Sequence, residues 1–339
     1  MKKLINEAID TLRKKRVDYG DIRIVETQDE FIRVKNGIVE AISWTTDFGF
    51  GVRVLKDGGW GFSSSANVVR GEINKRIKEA LIIAAASASV QPHTVHLSPV
   101  EIYKAKYRTP YQIDPFTISL EDKIGLLLSI NKVLQQDQNI KLTNLVLVFS
   151  KIKKLFGSTE GSFIEQEIVE SGGAIAAYAM RNGEVQRRSF ENYHQAGYEF
   201  ITGLDLKSQA ERIREEAVML LSAPNCPAEI ATVIIGSHQM VLQVHESCGH
   251  PTELDRVLGT EASYAGTSFL TLDKLNNLRY GSDKVSIYAD ATAEGGLGTF
   301  GFDDEGVPAQ RVPLVKDGLF VGYLSSRETA SRINQKSSG

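Results

Sequence analysis

Cysteine is nearly absent from this chain of 339 residues, which holds only Cys226 and Cys248. Two thiols cannot build a disulfide framework, so a reducing, cytoplasmic setting is expected. Long hydrophobic runs are also missing; none approaches the ~20 residues that span a bilayer. Charge of one sign is not in excess. A formal net charge of −3 gives no electrostatic reason to expect nucleic acid or an anionic membrane as partner. The first ten residues, beginning Met1-Lys2-Lys3 and reaching Asp10, are charged too early for a secretory leader. No Gly-x-Ser-x-Gly elbow occurs, and the glycine-rich run Gly295 to Gly301 lacks the lysine of a phosphate-binding loop. That run reads instead as flexible chain near a substrate cleft.

What remains is 42% hydrophobic and 24% charged residues, the composition of a soluble globular protein of two or three subdomains. The pattern predicts an α+β fold, with antiparallel sheets and helices packed on them. Residues 1–90 form a first unit. A helix covers Lys2 to Arg16, with Leu4, Ile5, Ala8, Ile9 and Leu12 at helical spacing. Five short strands follow, Asp21–Thr27, Phe31–Lys35, Ile38–Trp44, Phe50–Leu55 and Gly59–Ser63, and a helix from Val68 to Ala88 closes the unit. Asn36-Gly37 and Asp57-Gly58 mark hairpin turns. Residues 91–116, with Pro92, Pro99, Pro110 and Pro115, read as a linker or extended crossing. Residues 117–222 form a middle unit. Its helices are Leu120–Gln136 and Leu206–Leu221, and its strands Leu142–Phe149, Lys153–Ser158, Phe163–Ser171 and Ala174–Met180, turning at Gly161 and Gly172-Gly173. A third unit, 223–339, opens with a buried-strand run, Ile230–Ile235. Ser237 then caps a helix over His238–Gly249. Further on come a strand Val285–Asp290 and a hairpin Val312–Lys316/Leu319–Leu324 across Asp317-Gly318.

The chemistry concentrates at His245-Glu246-Ser247-Cys248-Gly249-His250. Two imidazoles can hold one zinc ion, and the carboxylate beside the first can serve as general base toward a metal-activated water. The stretch resembles the His-Glu-x-x-His box of zinc peptidases, with one extra residue before the second histidine. On a regular helix, residues five apart lie about 140° apart, so the two rings would point to different faces. The spacing binds metal only where the helix is locally distorted. Gly249 accepts unusual backbone angles, and Pro251 steers His250 away from the α conformation, so the helix ends or kinks there. A π-type turn is the alternative.

Glu253, Asp255, Asp303, Asp304 and Glu305 offer carboxylates to orient the imidazoles. For Asp303 and Asp304 individually, a solvated loop charge is the favoured reading. A third metal ligand is not evident. Cys248 leaves the helix at another angle and reads as a small core residue, Cys226 as core or loop filler, and His93, His96, His194 and His238 as unclustered.

Together these residues resemble the TldD/PmbA family of modulators of DNA gyrase, in its TldD-type branch. The likeness rests on His245-Glu246-x-x-Gly249-His250, Glu253-x-Asp255, the run Gly259 to Phe269, and Phe302-Asp303-Asp304-Glu305-Gly306-Val307-Pro308. The hairpin before Ser326-Arg327-Glu328 and the Gly49 to Phe62 stretch add to it. The resemblance implies a cytoplasmic zinc metallopeptidase acting on unfolded or extended peptides, with His245 and His250 as zinc ligands and Glu246 as general base. It also implies a dimer, with a TldE/PmbA-like paralogue or with a second copy. In the family a cysteine near the C-terminus completes the zinc site. No residue here matches it, so the chain is expected to be C-terminally short. The alternative is a non-catalytic subunit that binds peptide or stabilises a partner. Direct binding to gyrase is a weaker third reading.

Overall fold

Apolar alternation carries four strands well past the lengths that local sequence predicts. A computed structural model describes residues 1–91 and 93–339; Pro92, one of the prolines marking the predicted linker, lies outside the described residues. After helix α1 (Lys2–Lys14), strand β1 runs unbroken from Tyr19 to Lys35 and β2 from Ile38 to Lys56. Later in the chain, β5 spans Ile140–Ser158 and β6 Phe163–Arg181. Each of these four absorbs two predicted short strands.

The reason lies in tertiary pairing. The polar stretch Thr27-Gln28-Asp29-Glu30 looks like a break between strands, but β1 is central in the sheet and paired along both edges. Phe31 sits opposite Ser43 of β2 and Val148 of β5. Glu30 faces the helices and is neutralised by Lys123, whose Nζ lies 2.6 Å from its Oε2. Gly172 is likewise no turn residue. A Cβ there would sit 1.9 Å from the Tyr193 ring, so the glycine admits a cross-strand aromatic in mid-strand.

The remaining elements complete one seven-stranded sheet. β3 (Gly59–Ser65) leads to helix α2 (Arg70–Val90), and β4 (Lys104–Arg108) arises within the proline-marked crossing. Helix α3 (Leu120–Leu134) precedes β5, and β7 (Glu184–His194), absent from the sequence reading, follows β6. Helices α4 (Tyr198–Gly203) and α5 (Leu206–Leu220) close the segment. Strand order is β3-β2-β1-β5-β6-β4, with β7 also on β6; every pairing is antiparallel except β4 with β6. Strands from before residue 90 and after residue 117 therefore share one sheet.

One face of that sheet carries two helical clusters. At one end α1 and α2 cover Ile22, Ile24, Val52 and Val54; at the other α3, α4 and α5 cover Ile32, Val34, Leu145 and Leu147. The opposite face receives the C-terminal segment. Arg327, almost fully buried, donates two 2.8 Å hydrogen bonds to Glu160 and a third to the Ser98 carbonyl. Arg53 of β2 pairs with Asp21 and with Glu305.

Beyond residue 222 the chain departs from expectation. The run Ile230–Ile235, predicted as a buried strand, forms no strand, and Ile234 is 96% exposed. Among the described residues no strand lies beside it, so it has neither ladder nor core to enter. Helix α6 (Ser237–Val244) and the short α7 (Leu254–Val257) bracket the metal box; Gly236, not Ser237, occupies the cap position. A three-stranded sheet follows, of β8 (Ile287–Asp290), β9 (Arg311–Lys316) and β10 (Leu319–Phe320), then helix α8 (Arg327–Arg332). Among the described residues no helix is long and apolar enough to cross a membrane.

Candidate metal centre

The extra residue in the box is absorbed by a π-turn. Helix α6 passes at His245 into a wider turn over His245–Gly249, closed when the His250 N–H donates to the His245 carbonyl. A five-residue turn brings positions i and i+5 onto one face, which a regular helix would set far apart. The two imidazole rings meet edge to face with centroids 4.5 Å apart. One ligand atom each from His245, Glu246 and His250 lies within 4.8 Å of the others, with His245 and Glu246 exposed and His250 half-buried.

Both sequence-level reasons for a distortion are revised. Gly249 has φ −52° and ψ −70°, angles open to any residue, so its conformational freedom is not used. His250 keeps the α conformation despite Pro251, and the helix narrows into a 3₁₀ turn over His250–Thr252 before it stops.

The turn is held from below. Cys248 is fully buried against Leu314 and Val315 of β9, and burial pushes its thiol upward, as expected of a core cysteine and not of a ligand. Tyr280 donates its hydroxyl to the Ser247 carbonyl at 2.5 Å, and Thr252 Oγ1 donates to the Gly249 carbonyl at 2.8 Å. Leu254 anchors α7 in a cluster with Leu270, Phe320 and Tyr323.

Of the five downstream carboxylates, Glu253 is the one that reaches an imidazole. Its Oε1 lies 2.8 Å from His250 Nδ1, while Arg256 grips its other oxygen through Nε at 3.1 Å and Nη2 at 3.0 Å. With Nδ1 engaged, Nε2 is the nitrogen left for a metal. A cleft of about 570 Å³ opens beside His250, lined by Glu253, Asp255, Arg256, Glu261 and the Leu324–Ser326 strip. Arg256 and Tyr280 escaped the sequence reading. Arginine one turn after a carboxylate was the available signal for the first; the second, 33 residues from its partner, left none.

The acidic triplet serves the joint with the large sheet instead. Asp304 pairs with Arg23 at 2.8 Å and Lys154 at 2.6 Å, and Glu305 with Arg53 at 3.2 Å. Asp303 Oδ1 accepts the N–H groups of Glu305 and Val307, each at 2.8 Å, and burial pushes the group up to about 6. Neither Asp303 nor Asp304 is a freely solvated charge. The glycine-rich run is pinned as well. Gln195 donates to the Leu297 and Thr299 carbonyls, and Gln166 bonds the backbone of Gly301 and Phe302. His194 stacks on Phe200, while His93, His96, His238 and Cys226 lie exposed and apart from the cluster.

Comparisons with known proteins agree in direction. Residues 20–88, 113–221 and 228–339 match the models of PmbA/TldA metallopeptidase domain 1, central domain and C-terminal domain. A metalloprotease of Methanocaldococcus jannaschii is 32% identical over 324 residues, covering 95% of this chain and 69% of its own length. One from Synechocystis is 32% identical over 326 residues, with 96% and 67% covered. A crystal structure of a candidate modulator of a DNA gyrase from Thermotoga maritima superposes with a TM-score of 0.80 at 20% identity, covering all of this chain and 74% of that one; it speaks to the fold alone.

Proposed function

This chain belongs to the PmbA/TldD metallopeptidase family, and on that footing we propose that it hydrolyses peptide bonds with a zinc ion held by His245 and His250 and with Glu246 as general base. The observation that carries this reading is the π-turn, which gathers two imidazoles and one carboxylate within 4.8 Å. That donor set suits zinc: two neutral nitrogens, each free to present Nε2 or Nδ1, beside a single negative charge. A bound zinc ion would supply Lewis-acid chemistry to water and to the scissile carbonyl.

The protein groups do the rest. His245 and His250 hold the ion, and Glu253 with Arg256 fixes the ring of His250. The Glu246 carboxylate takes a proton from the attacking water and returns it to the departing amine nitrogen. His245 and Glu246 are solvent-exposed, so a chain in extended form can reach them without a deep pocket. Unfolded or extended peptide is therefore the substrate class proposed. Free Cys226 and Cys248 suit a reducing cytoplasm, and a TldE/PmbA-like paralogue or a second copy is the proposed partner.

The test compares wild type with Glu246→Gln and His245→Ala, measuring zinc content and cleavage of an unfolded protein. Wild type should bind zinc and cleave. Glu246→Gln should keep the metal and lose on the order of 10²–10⁴ in rate, and His245→Ala should lose both. Zinc binding without cleavage by wild type, even with a co-expressed paralogue, would instead identify a non-catalytic peptide-binding subunit.

A further inference from the structure

The large sheet has one long open edge. Strand β3 pairs with β2 only from Phe50 to Lys56, so residues 38–48 of β2 have a neighbour, β1, on one side only. Among the described residues no other strand pairs with this stretch. Ten of its eleven residues are exposed, among them Ile38 at 70%, Trp44 at 54%, and Ile42 and Phe48. An uncovered edge of that length, with apolar side chains, is a template for strand addition, and proteins ordinarily blunt such edges. The two charges along it, Glu40 and Asp47, are both acidic and no lysine guards it.

We propose that this edge pairs with the same edge of a second copy, antiparallel, about a two-fold axis at Ser43. Three observations select that occupant and that register. First, the window is closed at both ends. The Asn36-Gly37 turn ends it before Ile38, and β3 fills the edge from Phe50 onward. A foreign strand longer than the window would collide with β3, whereas a copy of this chain brings a window of the same length. Only centring at Ser43 lays the two windows over each other completely.

Second, that register matches side chains. Ile42 and Trp44 lie opposite Glu30's neighbours on the helix-bearing face, with Ile42 paired to Ile32 and Trp44 to Glu30. Across the two-fold, Ile42 of each copy faces Trp44 of the other, so four apolar side chains meet at the axis. Phe48 meets the Ile38–Val39 end of the copy. β-branched against aromatic pairs are among the stabilising cross-strand combinations.

Third, the charges agree. In this register Glu40 faces Thr46 and Asp47 faces Val39, whereas a slip of one residue would set Glu40 directly against Asp47 and turn every side chain to the wrong face. The outcome is one continuous sheet through both copies, with the helices of both on the same face. This assembly is independent of the metal box, and its test does not depend on peptidase activity.

The experiment joins sedimentation with cross-linking. Wild type should sediment as a dimer, and Ile42→Glu/Trp44→Glu as a monomer with unchanged circular dichroism. Ser43→Cys in a Cys226→Ser background should oxidise to a disulfide-linked dimer, because the two cysteines would lie directly opposite; Phe62→Cys, off the edge, should not. The Ser43→Cys variant alters an exposed small residue, so it reports on the interface even where the double variant fails to fold. A monomeric wild type, or a dimer that survives the double substitution while Ser43→Cys fails to link, overturns the proposal. So does a monomer that binds an extended peptide in wild type but not in the double variant, which would give the edge to peptide.

Discussion

Glu253 holds the Nδ1 side of His250 at 2.8 Å and is itself held by Arg256, so the second histidine of the box is oriented by two residues outside it. A ring that donates or shares its Nδ1 proton with a carboxylate turns its other nitrogen outward and binds metal more strongly. Glu253→Ala should weaken zinc affinity about 10–100-fold with the fold intact. Competition against a chromogenic chelator measures it, and an unchanged affinity would remove Glu253 from the site.

Gly249 tells against a common inference about glycine in a motif. Its backbone angles are ordinary, and the atom nearest to a Cβ built there is the Val244 carbonyl oxygen, 3.9 Å away. Gly249→Ala is expected to keep the π-turn and zinc binding, with a stability change within about 1 kcal/mol, favourable if helix propensity dominates. Loss of metal with a folded protein would mean that the missing side chain, and not the backbone, matters at this position.

Lys123 and Glu30 form an ion pair that is 1% and 2% exposed in the middle of the helix-covered face. Breaking such a pair strands one charge, so Lys123→Met alone should cost about 3–5 kcal/mol. The double variant Lys123→Met/Glu30→Leu should recover most of that loss, since neither charge then needs a partner. Urea unfolding of the four proteins of the cycle gives the coupling; additive losses would refute it.

Asp303 sets a pH dependence. Burial, with Glu305 and Asp304 nearby, raises its folded value to about 6, against about 3.9 for an unfolded aspartate. The folded state thus favours the protonated acid. Its stabilising contribution is full below about pH 4 and is lost as pH rises through about 6. Asp303→Asn keeps an acceptor for the Glu305 and Val307 N–H groups without the charge. The stability of wild type relative to this variant should therefore fall between about pH 4 and 6 and level off above 7. A difference that stays flat across that range would show the carboxyl to be solvated in the fold.

Where information was local, the amino-acid order was enough. Asn36-Gly37, Asp57-Gly58 and Asp317-Gly318 each place two successive residues at positive φ, as two-residue hairpin turns require. Leu4 to Leu12 set the buried face of α1, and Ser119, three residues before Asp122, caps α3. The imidazoles and carboxylate of the box, the need for a distorted helix between them, and the α+β class were all legible in the same way, from spacing and residue type.

What the tertiary structure decided was everything that depended on a partner far along the chain. The Thr27–Glu30 stretch stays in one strand because Lys123, 93 residues away, neutralises Glu30, and because β1 is paired on both edges. The Ile230–Ile235 run has strand composition but no neighbouring strand, and propensity without a ladder leaves the backbone to water. The two distortions open to the metal box could not be separated by spacing. The π-turn is the one observed, with Cys248 buried under β9 and Tyr280 tied to Ser247, contacts that no local pattern encodes.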